Sequence, residues 1–63
     1  MVHKVREAIR MVEWDGWFLV RTRGSHRQFH HPTKPGTVTI PGRLGEDVRQ
    51  WLWDGIRKQA GLK

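Results

Sequence analysis

The sequence contains no cysteine, so disulfides and thiolate chemistry are closed to it, and nothing argues for an oxidising compartment. No stretch approaches the roughly 20 apolar residues of a membrane span. The first residues follow an amphipathic helical pattern rather than that of a signal peptide, so a soluble, cytoplasmic protein with no membrane partner is expected. Repeats, low-complexity tracts and internal linkers are absent. Acidic residues are few: six Asp and Glu stand against twelve Lys and Arg, leaving a net charge of +6 on 63 residues. A chain this short buries only about 60% of the surface its unfolded form exposes. That leaves room for one domain, residues 1–63, and none for an enclosed cofactor site, so no cofactor is expected. The charge attracts polyanions at long range, and nucleic acid is the polyanion it best suits. The plainer alternative is that the charge serves solubility alone.

Residues 3–14 place Val5, Ala8, Ile9 and Val12 at the i, i+3, i+4, i+7 spacing of a helical apolar stripe, closed by Asp15-Gly16. Met11 and Trp14 lie off that stripe and form either a domain edge or a partner surface. The run Trp17–Thr22 is aromatic and β-branched and predicts a strand, although its periodicity leaves open which face is inward. Arg23-Gly24-Ser25 is a tight connection in which Gly24 permits positive φ. Residues 26–31 predict a second strand, with His26, Gln28 and His30 on one face and Arg27, Phe29 and His31 on the other. If Phe29 points into the core, His26 points away from it.

A proline-glycine turn over 32–36 leads to a third strand, Thr37–Ile40, stopped by Pro41-Gly42. Glu46 and Asp47 suit the first turn of a last helix. Its inner stripe is read as Val48, Trp51, Leu52, Gly55 or Ile56, and Gln59, with Trp53 on the exposed flank beside Arg49 and Arg57. The expected architecture is α+β, in the order α-β-β-β-α: a three-stranded antiparallel sheet with two helices on one face and the other face wet and basic.

The segment Arg21–Pro32 packs three Arg, three His, a Ser and a Gly into twelve residues. A metal site is disfavoured there, because His30 and His31 point to opposite faces of a strand and the nearest carboxylates in sequence, Asp15 and Glu46, lie outside the segment. A serine hydrolase built on Ser25 and His26 lacks an orienting third group. A ribonuclease needs less. RNA supplies its own nucleophile, the 2′-hydroxyl, so a proton-transfer group, cations for the phosphorane charge and a positioning surface suffice. His26 flanked by Arg23, Ser25 and Arg27 meets that need, and so does the bland reading of a histidine on an ordinary polar strand.

The run Asp15-Gly16-Trp17 through Leu19-Val20-Arg21-Thr22-Arg23-Gly24-Ser25-His26, then Phe29, His31-Pro32-Thr33-Lys34-Pro35-Gly36, Val38-Thr39-Ile40-Pro41-Gly42 and Ile56-Arg57-Lys58-Gln59-Ala60-Gly61-Leu62, resembles the HicA toxin family over nearly the whole chain. The resemblance implies a double-stranded-RNA-binding-domain-like fold and a metal-independent endoribonuclease that cleaves mRNA and arrests translation. It also implies a HicB-like antitoxin as partner, covering a catalytic histidine that falls on His26, with Gly24 as the motif glycine. The segment Arg43–Trp53 departs from the family, which commonly has a His-Pro segment and a proline-bearing start to the last helix there.

The reading that follows makes His26 the general acid or base, with Arg23 and Arg27 holding phosphate. Gly24 and Ser25 shape the backbone, Lys34 is a further phosphate contact, and Trp53, Met11 and Trp14 form a partner surface. Two alternatives are a non-catalytic RNA-binding module on the same basic face and a protein-binding domain whose charge is incidental.

Overall fold

The spacing of Val5, Ala8 and Val12 produces the helix it predicts, and all three side chains are buried. The computed structural model describes residues 2–62; Met1 and Lys63 of the expected domain lie outside the described residues. The elements are β1 (His3–Lys4), α1 (Val5–Trp14), β2 (Phe18–Arg23), β3 (His26–His30), β4 (Val38–Ile40), β5 (Asp47–Val48) and α2 (Gln50–Gln59). The Lys4 backbone N–H donates to the Glu7 carboxylate at 2.8 Å, closing off the helix start. No helix among the described residues is long and apolar enough to cross a membrane.

The three expected strands form the antiparallel meander β2-β3-β4. Both helices pack on β4, and the core between the layers joins Val5, Ala8 and Val12 to Trp17, Phe29, Val38, Ile40, Val48, Ile56 and Ala60, with no buried polar residue among those described. The Trp17 indole N–H donates to the Ala60 carbonyl at 3.3 Å, satisfying its one polar atom. Strand β2 lies at the sheet edge farthest from β4, and all six of its residues are exposed.

The start of the last helix corrects the sequence reading. Glu46 and Asp47 are not in its first turn: Asp47 and Val48 form β5, which pairs with β1 in the register His3↔Val48 and Lys4↔Asp47, and α2 begins only at Gln50. Val48 is buried as expected, but from a strand. Of the expected inner stripe, Ile56 is buried and Leu52 half-buried, whereas Trp51 is 71% exposed. Gln59 is exposed and spends its amide oxygen on the Thr39 backbone N–H at 3.1 Å, tying α2 to the edge of β4. The β1–β5 pair also explains why α1 starts at Val5 rather than His3.

Candidate functional site

The open face of the sheet follows from the strand register. Phe29 is buried beneath the helices, so its neighbours His26, Gln28 and His30 at even positions face the other way. Residues directly opposite across a ladder share a face. The pairs Arg23↔His26, Arg21↔Gln28, Phe18↔His30 and Gln28↔Thr39 therefore put Arg23, Arg21, Phe18 and Thr39 on the open face as well. Arg21 reaches it only because a bulge between Leu19 and Arg21 leaves Val20 as an extra residue, shifting the alternation by one. None of β2, β3 and β4 contains a carboxylate.

His26 opens β3 at the hairpin, exposed, with Arg23 opposite it across the turn. Gly24 has φ +56° and Ser25 a negative φ, the sign pattern of a type II′ hairpin turn, whose twist matches that of the strands. A Cβ at Gly24 would meet nothing within 4 Å, so the requirement there is conformational rather than spatial. Among the described residues the hydrogen bonds to histidine rings fall on His30 and His31, and none engages the His26 ring.

Two expected phosphate contacts are placed elsewhere. Arg27 shares the face of Phe29, and its guanidinium donates to the Gly42 carbonyl at 2.6 Å, away from His26. Lys34 pairs with Asp15 at 2.5 Å and donates to the Ala60 carbonyl at 3.1 Å. It thereby joins the turn after β3 to the ends of both helices.

That turn is organised by His31. Its Nδ1 accepts the backbone N–H groups of Thr33 at 3.0 Å and Lys34 at 3.1 Å, which places the ring proton on Nε2, and Nε2–H donates to the Asp15 carbonyl at 2.7 Å. The ring meets Trp17 edge-on, 5.2 Å between centroids. A Cβ at Gly16 would stand 2.9 Å from His31 Nε2, and Gly16 has φ +108°, so both space and conformation demand glycine there. The hydrogen bond from the Lys34 ammonium, above all, holds the half-buried Asp15 carboxyl below its ordinary value of 3.8, against the opposing effect of partial burial. The His-Pro-Thr-Lys segment is thus a structural clamp. Among the described residues no three His, Asp or Glu side chains converge as metal ligands.

The expected partner surface divides. Trp53 is half-buried, its ring stacked on His3 with centroids 3.7 Å apart and planes 11° from parallel. Trp14 is 94% exposed and, with half-buried Met11, lines a groove of about 550 Å³ together with Arg10, Arg57 and Leu62. Sequence reasoning left Arg21, Gln28, His30 and Phe18 out of the candidate site. For Gln28 and His30 the signal was the alternation that already set them on the face of His26; for Phe18 and Arg21 the sequence carried none, because a bulge decides their face.

A family model described as "HicA toxin of bacterial toxin-antitoxin" matches residues 5–62. A solved chain from a toxin–antitoxin complex of Streptococcus pneumoniae is 30% identical, with a TM-score of 0.75 over 94% of this chain and 97% of that one. No curated protein matches the chain.

Proposed function

This chain belongs to the HicA toxin family of bacterial toxin–antitoxin systems, and on that premise we propose that it is an endoribonuclease toxin that cleaves mRNA on the open face of its sheet, with His26 as the proton-transfer group. The observation that carries this reading is the placement of His26: exposed, with no hydrogen bond to its ring among the described residues, opposite Arg23, on strands that contain no carboxylate.

The chemistry needs little more. Deprotonation of the 2′-hydroxyl lets its oxygen attack the adjacent phosphorus, and the P–O5′ bond breaks. The products are a 2′,3′-cyclic phosphate and a 5′-hydroxyl, which takes up a proton. Imidazole is suited to one of these transfers near neutral pH. Arg23, with Arg21 farther along the same face, supplies positive charge for the phosphorane. His30 lies four residues along β3, about 13 Å away at the strand rise, too far to serve the same phosphorus as His26. Arg27 and Lys34 act as structural groups in this scheme, committed as they are to Gly42, Asp15 and Ala60. A HicB-like antitoxin, the partner that the family implies, would silence the toxin by covering His26, and the site of action would be the cytoplasm, where mRNA is translated.

The test is induction of the wild-type chain against His26→Ala, with growth followed and cellular RNA mapped for new 5′ ends. Growth arrest and cleavage with the wild type alone are expected. Equal behaviour of both, with the variant folded by circular dichroism, would remove His26 from catalysis and leave the basic face as a binding surface.

A further inference from the structure

At the end of the open face away from His26, the polar surface gives way to an aromatic one. Phe18 is 49% exposed although it stands in the middle of the chain's most apolar run. Edge strand β2 is exposed throughout, Leu19 as much as Phe18, and the register sets the face: Leu19 pairs with Phe29 on the helix side, and Phe18 stands opposite His30 on the open face. The His30 ring is held there by Thr37, Nε2 to Oγ1 at 3.2 Å. Between this pair and His26 lies the row Arg21, Gln28 and Thr39. The face therefore reads, in order, imidazole with guanidinium, then guanidinium with amide and hydroxyl, then two aromatic rings.

We propose that this face is a track for single-stranded RNA, with Arg21 at an intervening phosphate and Phe18 and His30 forming a nucleobase-stacking subsite about 13 Å from His26, the span of roughly two nucleotides. Stacking on aromatic rings is the general means by which an exposed sheet holds unpaired bases. Positive charge without any carboxylate on the strands suits a phosphate backbone better than a protein surface, which carries both signs. The proposal rests on the ribonuclease reading for what happens at His26, but its test does not require cleavage.

The experiment measures binding of short, fluorescently labelled single-stranded RNA oligonucleotides whose 2′-hydroxyls are replaced by fluorine, so that no cut can occur. Anisotropy is recorded for wild type, Phe18→Ala and Phe18→Trp, and for oligonucleotides with one abasic position moved along the strand. Phe18→Ala is expected to raise Kd roughly 5- to 100-fold while Phe18→Trp keeps wild-type affinity. One abasic position should weaken binding to the wild type and have no further effect on Phe18→Ala. Because Phe18 is outside the core, circular dichroism should show both variants folded; should Phe18→Ala be damaged, the abasic scan on wild type against His30→Ala gives the same reading. Equal Kd values for wild type and Phe18→Ala, or an abasic penalty that is undiminished in the variant, would overturn the subsite. Unchanged RNA affinity combined with weakened binding of the antitoxin would overturn it too, and assign Phe18 to the protein partner. RNA that binds in a Phe18-dependent way yet is never cut in its natural 2′-hydroxyl form would sink the ribonuclease reading and leave the subsite standing.

Discussion

The two ends of β3 carry the same side chain in opposite circumstances. At one end His26 is exposed beside a two-residue turn, with no hydrogen-bond partner for its ring among the described residues. Just past the other, both ring nitrogens of His31 are committed to backbone groups and the ring is packed against Trp17. A histidine whose nitrogens are saturated by its own chain holds structure. One that the fold leaves unsatisfied at a positively charged edge is available for chemistry. The difference lies in neighbouring backbone rather than in the residue.

The comparison is broken most strongly by exchanging the losses. His26→Ala should lower cleavage by roughly 10² to 10⁴ and leave the melting temperature unmoved, whereas His31→Ala should do the reverse. It takes the partner from two backbone donors and one acceptor, which are exposed or part-buried, at about 0.5–1.5 kcal/mol each, and removes the ring packed against Trp17. In a domain whose total stability is on the order of 3–5 kcal/mol, thermal melting should show it near or past unfolding at 37 °C. A His31→Ala protein that melts like wild type would dissolve the distinction.

At the hairpin, Gly24→Ala forces a side chain into the left-handed region, which costs about 1–2 kcal/mol. With 4–8 °C of melting temperature per kcal/mol in a domain this size, a clear drop is expected. Gly24→Asn, which tolerates that conformation, should lose less. The two arginines sharpen the contrast between faces. Arg23→Ala should reduce the slope of log binding constant against log salt by about 0.7 for single-stranded RNA, and Arg27→Ala, whose guanidinium serves Gly42, should leave the slope as it was.

The smallest effect concerns acid. Asp15 is held below its ordinary 3.8 in the folded protein, so the unfolded chain takes up its proton first and folding is favoured by the charged form. That contribution is fully present above about pH 4 and disappears as pH falls through the lower, folded value. Asp15→Asn should therefore flatten the stability–pH curve below pH 4 in urea titrations, while neutral-pH unfolding falls only slightly.

Much of this was legible in the residues themselves. The stripe Val5, Ala8, Val12 and the alternation around Phe29 each repeat at one element's own period, so local pattern was enough to place α1 and to turn His26 outward. Three features were not legible in this way. Strands β1 and β5 are two residues each and stand more than forty positions apart, too short for any period to show. Trp51 and Trp53 differ in burial because Trp53 finds His3, brought to it by that same pairing. Arg27 and Lys34 looked like free cations because a sequence shows charge without showing which carbonyl or carboxylate lies within reach.

The sequence by itself determined the order of the longer elements, the buried faces of α1 and β3 and the segment where chemistry is to be sought, since these depend on periodicity and on what single residues permit. Only the tertiary structure decided which cations and rings remain unspent. That is a matter of long-range partners: Gly42 takes Arg27, Asp15 and Ala60 take Lys34, Asp15 also takes His31, and among the described residues none takes the side chains of His26, Arg23 or Arg21.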